Sequence, residues 1–600
     1  MTGAERLARL RANEELLNTM VQDGLLMPVT GVYAIRPSGW VLPIPTIADA
    51  AGIDYAGCRV VITAPHTLTS NLTFPADRKV TFEDGGMLVG GSGVTVTFLK
   101  GFRATKSKHF DGGINVKGKI SKVYPQWWGA VAGSFSEDSG PGIQAAIDCA
   151  NGYPDGAKPV VRITAGVYRV EQFPVVRGLG LNIKGDGSGK STNNSSVASA
   201  GGTTLNYVGE EQGTSNADVT LVAGMFKLGS ETESTRALTL SGMSLWCHYK
   251  INGISGTNAN GSHFKDLYIY QPKIGVYLEE GCFGNLWEML VVHDPTVLHL
   301  DLRLNVHNNV FLKCIFTAPS TILATNRSAY VRIGEVGTSS AINFIGCNFD
   351  VYSSDKVVFV KSPVKGLSFS GGYIEMYGTS NSTHCMYLAH GSGISIAGTR
   401  FTATATSSNT GGRVPHAIVF VPIDAGHAGL DFTGNYVEGF GVSAVLVNEN
   451  VTNVFAAGNS LLGNMVSIPV ITGVSNDEAS WFDKGVLNTK AVNIKGLALG
   501  APVSRTISGG VLTIDDESFV RVETEGGAAT DDLTTIAGVF SDGHILILQA
   551  KDTDHTVVVK DGVGNINIAS DSSLPEDRSK LMLIYNSVNS QFEGLVPGTN

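Results

Sequence analysis

The chain has 600 residues, more than one compact core holds, so several domains or one elongated repeat are expected. With 73 glycines, 16% charged residues and plentiful Val, Ile, Thr and Phe, an all-β chain rich in turns is favoured over a helical one. A net charge of −10 argues against nucleic acid or an anionic membrane as partner, and no apolar run is long enough to span a bilayer.

Residues 4–26 read as an amphipathic helix with Leu7, Leu10, Leu16, Leu17 and Met20 on one side, a tether or a docking and oligomerising segment (1–26). Residues 27–122 turn to an alternating β pattern, as in Val60-Val61-Ile62-Thr63, Lys79-Val80-Thr81-Phe82 and Val94-Thr95-Val96-Thr97-Phe98. The N-terminus lacks the basic-then-apolar plan of a signal peptide. Seven cysteines are odd in number and show no CxxC spacing. They read as packed thiols in a protein made in a reducing cytosol, with Cys314 and Cys347 in the same inward register.

Next come Trp127-Trp128-Gly129-Ala130, then Glu137-Asp138, then the helical run Gly142 to Ala150, then Val160-Val161-Arg162-Ile163-Thr164-Ala165-Gly166-Val167-Tyr168. This succession resembles the opening of the pectate-lyase-like, right-handed parallel β-helices of bacteriophage tailspikes. In that family a W[FW]GA…D…AIQ-A pattern caps a helix and a PAGTY-like strand begins the first coil. Thr164 stands here for the proline and Val167 for the threonine, and the resemblance covers roughly residues 60–470. It implies a homotrimeric spike on a virion tail, made in the host cytoplasm, whose partner is a bacterial surface polysaccharide. It implies no cofactor and no metal. The short N-terminal segment suggests attachment through an adaptor protein or a prophage origin.

Residues 123–475 are expected to form the β-helix with its capping helix. Nine segments between 240 and 462 align on a corner that recurs about every 25 residues: Gly242, Asp266, Glu288, Lys313, Gly346, Gly371, Gly398, Gly434 and Gly458. Counting the corner as zero, position +3 is apolar in every segment (Leu245, Ile269, Val291, Phe316, Phe349, Ile374, Phe401, Val437, Leu461), and so is position −2. Those columns face inward, so +2 and +4 face outward. The outward columns begin with Trp246, Tyr268, Tyr270, Leu290 and Val292. They continue with Asn348/Asp350, Tyr373/Glu375, Arg400/Thr402 and Tyr436/Glu438. Residues 476–600 carry short strands between turn signals and are expected to form a linker and a β-sandwich. That module resembles those that follow β-helices in tail fibres, which implies trimerisation and possible carbohydrate binding.

The second outward patch carries the chemistry. Like charges on neighbouring coils split their pKa values, and glycoside hydrolysis needs one protonated and one ionised carboxyl. Glu375 and Asp350, about 5 Å apart by strand spacing, form the expected acid/base pair, with Glu438 two coils from Glu375 as the next choice. Tyr373, Tyr436, Arg400 and Asn348 are expected substrate contacts, joined by Trp246 and Tyr270 in the early coils. Arg327 and Arg413 lie on two long insertions, after Thr317 and after Thr402, that would flank a groove. The alternatives are a lyase with Tyr373 as base beside Arg400, and a fibre that binds glycan without cleaving it. Asp294 and Asp301 read as exposed residues with structural or solvating roles.

Overall fold

A computed structural model describes residues 32–35, 41–43, 47–48, 57–188, 202–211, 224–318, 330–378, 384–405, 416–420, 429–440, 443–447, 453–457, 459–462, 470–471 and 502–594, apart from positions 231, 335–336, 353–355, 390, 516, 541 and 578. The helix expected over 4–26 lies outside these residues, as do Arg327 and Arg413. The chain divides into two units, Met1–Leu487 and Asn488–Asn600.

Coiling begins well before the capping helix. Arg59–Ile62, Lys79–Phe82 and Phe102–Ala104 pair in parallel. So do Pro65–Leu68, Met87–Gly90 and Phe110–Asp111, and likewise Leu72–Phe74, Thr95–Phe98 and Asn115–Gly118. Three strands per turn repeat, several of them burying alternate residues, as in Leu72–Phe74, Met87–Gly90 and Thr95–Phe98, so the region expected merely to be β-rich is itself a solenoid. The helix Gly140–Asn151 is set between Lys122–Val123 and Val160–Arg162, which pair directly in parallel. It buries Ile143, Ala146, Ile147 and Ala150. The Asp138 carboxylate accepts from the backbone N–H groups of Gly140 (2.9 Å) and Glu171 (2.8 Å), which fastens the helix start to a coil. The resemblance implied that the first coil follows this helix; instead one hydrophobic core runs continuously from Ile47 to Phe440.

Beyond the helix, a 20-stranded sheet contributes two strands per coil and an 11-stranded sheet contributes the third. Within a single strand in Thr239–Trp246, His263–Tyr270 and Leu286–His293, and between two strands from Val310–Leu312 and Ile315–Thr317 onward, the larger sheet bends at the recurrent corner. There the backbone enters the left-handed region at Gly242, Asp266, Met289, Lys313, Gly346, Gly371, Gly398 and Gly434. Inside, Phe264, Trp287, Phe311, Phe344 and Phe369 form a continuous ring stack, with successive centroids 3.9, 5.8, 4.9 and 4.7 Å apart. Polar ladders fill the bend: Asn285 donates to Asn309 (3.1 Å), and Asn435 receives the backbone N–H of Thr399 (2.9 Å). All seven cysteines are buried and unpaired by disulfides.

The third corner is Met289, one residue later than the expected Glu288. Leu267 pairs with Leu290, Ile269 with Val292 and Tyr270 with His293. Trp287 and Val292 therefore point inward, Val291 takes the +2 place and His293 the +4 place. Leu286/Trp287 and Val291/Val292 are both apolar pairs, so inward polarity alone did not fix the register, and a slip of one exchanges the faces.

The second unit is all-β, but not the expected sandwich. Val503–Thr506, Phe519–Glu523 and Ile545–Ala550 pair in parallel, as do Val511–Thr513 with Thr535–Ala537 and Thr530–Leu533 with Thr556–Val559. Among the described residues, antiparallel strand pairs come at the end of this unit: Lys580–Asn586 against Ile545–Ala550 and Gln591–Gly594, and Ser572–Leu574 against Thr556–Val559. Short strands between turns read alike for coils and for sandwiches; strand direction separates them, and local sequence does not encode it.

Candidate functional site

In the later coils the expected columns are in register. Asn348, Tyr373, Arg400 and Tyr436 pair strand to strand, and beside them run Asp350, Glu375, Thr402 and Glu438. Alternation on these strands buries Phe349, Ile374, Phe401 and Val437 and leaves the polar neighbours at the surface. Asp350 and Glu375 are directly opposed, about 5 Å apart in backbone terms. Asp350 accepts from the Thr317 hydroxyl (3.3 Å), while its other oxygen is buried without a hydrogen-bond partner among the described residues. Desolvation, reinforced by the charge of Glu375, raises its pKa above the ordinary carboxylate value.

Around this pair, the Arg400 guanidinium lies over the Tyr373 ring (5.8 Å) and the Tyr436 ring (5.0 Å) and approaches Glu438 (3.5 Å). Tyr436 donates to Glu438 (3.1 Å). Burial and a hydrogen bond to Glu375 push the Tyr373 phenol well above the tyrosine range. Arg400 thus ties the outer carboxylate Glu438 to the aromatic rim and leaves Asp350 and Glu375 as the facing pair. Asn348 is exposed at the edge.

The early coils hold a second cluster. Trp246, Tyr270 and His293 occupy the same +4 column, with Tyr268 beside them. The Trp246 and His248 rings stack at 4.1 Å, and His293 lies 5.2 Å from Tyr270 and 6.2 Å from Tyr268. Behind them, Trp246 donates to Gln271 (3.2 Å), Gln271 to the Tyr249 hydroxyl (2.7 Å), and Tyr249 to the Asp294 carboxylate. Asp294 is 1% exposed and Asp301, clasped by Arg332, is 0% exposed, which corrects the expectation that both lie at the surface. Tyr249, Gln271 and Asp294 all adopt positive φ (62°, 51° and 56°), an arrangement disfavoured for tyrosine and glutamine and held here by the stacked coils. Burial lowers the His293 pKa and raises Tyr268 to about 12, so at neutral pH the imidazole is neutral and the phenol protonated.

His293, Tyr249 and Gln271 went unread in the sequence. The even spacing of corners was the available signal, since Met289 lies 23 and 24 residues from its neighbours and Glu288 lies 22 and 25. Among the described residues, no group of His, Cys, Asp or Glu could hold a metal ion, and no helix is long and apolar enough to cross a membrane.

No protein-family model and no curated protein matches the sequence. Solved structures similar to this chain include ORF18 of Geobacillus virus E2 (13% identity over 57% of this chain and 59% of that one, TM-score 0.33). Another is the gp42 tailspike of Acinetobacter phage vb_AbaP_AS12 (10% identity, 77% and 79% covered, TM-score 0.33). A third is the A-module of the mannuronan C-5 epimerase AlgE4 from Azotobacter vinelandii (13% identity, 58% and 98% covered, TM-score 0.34). The chain spans about three fifths of the length of the Geobacillus virus protein.

Proposed function

We propose that this chain is a phage tailspike that binds bacterial surface polysaccharide, capsule or O-antigen, and depolymerises it by glycoside hydrolysis. The observation that carries the reading is the Asp350–Glu375 pair, opposed on adjacent coils with the Asp350 carboxyl half-desolvated. Asp350 is the acid: it gives its proton to the glycosidic oxygen as the bond to the anomeric carbon breaks. The Glu375 carboxylate either bonds to that carbon, the resulting ester then being cleaved by a water whose proton returns to Asp350, or takes the proton of the water that attacks the carbon. Tyr373, Tyr436 and Arg400 line the approach and suit ring stacking and hydroxyl recognition. A homotrimer, with virion attachment through an adaptor, belongs to the same reading.

One observation favours a second reading. Tyr373 is a poor base, because its proton is held by burial and by Glu375. Neutral His293 beside the protonated Tyr268 and Tyr270 has the states that β-elimination asks of its base and acid. The test is to incubate purified protein with capsular polysaccharides and analyse the products. Hydrolysis yields reducing ends without a new chromophore; elimination yields an unsaturated, ultraviolet-absorbing end. Unchanged polymer length across a broad panel would leave only adhesion.

A further inference from the structure

Against the net charge of −10, the coils before and around the capping helix carry a basic hollow. Two adjoining depressions, of about 710 Å³ and about 460 Å³, share Lys100, Lys119, Ile120 and Ser121. Lys117 lines the first, and Arg103 and Lys122 line the second. No Asp or Glu lines either one. The five cations are exposed. The ion pair nearest them in sequence among the described residues is made by another lysine, Lys108 with Asp111 at 3.1 Å, and the next lysine after them to be paired is Lys158, with Asp155 at 3.4 Å.

Three of the cations line the first depression and four the second, two of them shared, and together they form a local field opposite in sign to the net charge of the chain. The half-buried Tyr124 sits among them, one edge against Trp127, while the Phe102 ring beside it packs into the core against Phe98 and Trp127. Cations spaced around one half-exposed aromatic side chain match a polymer whose carboxylates are separated by sugar rings. A denser polyanion such as nucleic acid would meet the repulsion of the acidic remainder. We infer that this hollow binds a strand of acidic polysaccharide, a polyuronate in charge pattern, separately from the Asp350–Glu375 groove. The choice of sugar rests on the polysaccharide reading above; the anion site itself does not.

The test uses the full chain carrying Glu375→Gln, so that binding is read without turnover. Fluorescent polygalacturonate oligomers are titrated by anisotropy at about 50 mM and about 300 mM salt, with polyglutamate of equal length as a control. The inference expects affinity to fall with salt, and the Lys100→Glu/Lys119→Glu pair to weaken binding at least about tenfold. It also expects Tyr124→Leu, which keeps an apolar side chain in place, to weaken polygalacturonate about threefold and leave polyglutamate unchanged. Unaltered binding after the charge reversal, in protein with unchanged circular dichroism, would overturn it. So would equal binding of polyglutamate with no effect of Tyr124→Leu, which marks a surface for acidic polypeptide. Binding through the hollow by a protein whose parent cleaves nothing would remove the depolymerase reading and leave this site standing.

Discussion

The early and late coils share one backbone plan and differ in what their outward columns do. Around Trp246, Tyr270 and His293 the polar groups are packed behind rings: Asp294 is buried, Tyr249 is bonded to it, and the imidazole has shed its charge. Around Asp350, Glu375 and Glu438 the same columns are only half-buried, and Asp350 and Glu375 face each other across neighbouring strands. A solenoid fixes spacing and direction. The side chains one coil away then decide whether a carboxylate is a structural anchor or an available acid.

The largest effect that distinguishes the two regions is on rate. Asp350→Asn and Glu375→Gln should each lower depolymerisation by roughly 10²–10⁴-fold, the usual worth of a general acid or base. Glu438→Gln should do less, since that group is engaged by Arg400 and Tyr436. His293→Gln should leave the rate within about a factor of three if hydrolysis in the late coils is the reaction. Reducing-end release measured on all four variants checks the comparison. The reverse pattern, with His293→Gln inactive and the three carboxylate variants active, would move the chemistry to the early coils.

A smaller difference concerns stability. Tyr249→Phe removes a hydrogen bond to a buried carboxylate and should cost about 1.5 kcal/mol, at the low end for bonds to charged groups because the tyrosine is only half-buried. Tyr436→Phe removes a superficially similar bond to Glu438, but in solvent, and should leave the unfolding midpoint unchanged. Denaturant titration of the two variants side by side measures how far burial separates the regions.

Much of this contrast was legible before the structure. Among the described residues, the −2 and +3 columns are inward at the coils of Gly242, Asp266, Lys313, Gly346, Gly371, Gly398 and Gly434, because large apolar residues at fixed spacing have only one interior to enter. Asp350, Glu375 and Glu438 fell on one face for the same reason. Where two neighbouring positions were equally apolar, as at Leu286/Trp287 and Val291/Val292, the face was ambiguous, and His293 was lost with it. Burial of Asp294 and Asp301 depends on partners one coil away, Tyr249 and Arg332, which linear spacing does not reveal. The basic hollow is assembled from Lys100, Arg103 and the Lys117–Lys122 stretch on successive coils, so it shows as no single charge run.

The subtlest prediction uses pH, because the two regions titrate with opposite sign. The folded Asp350 carboxyl has its pKa raised from 3.8, so above that value the folded chain holds a proton that the unfolded chain has released. Its stabilising contribution is full below 3.8 and is lost as pH rises through the folded value. His293 has its pKa lowered from 6.5, so its contribution is present above 6.5 and is lost as pH falls through the folded value. Rates follow the same division. Hydrolysis with Asp350 as acid should decline on the alkaline side, and Glu375→Gln, by removing a neighbouring charge, should bring the Asp350 titration to lower pH. Elimination with His293 as base should instead decline on the acid side. Carboxyl-carbon chemical shifts of Asp350, followed by NMR through the titration in parent and Glu375→Gln, test the coupling directly. An unmoved titration would mean that the two carboxylates do not sense each other, and the late coils would then lack the split pair on which hydrolysis depends.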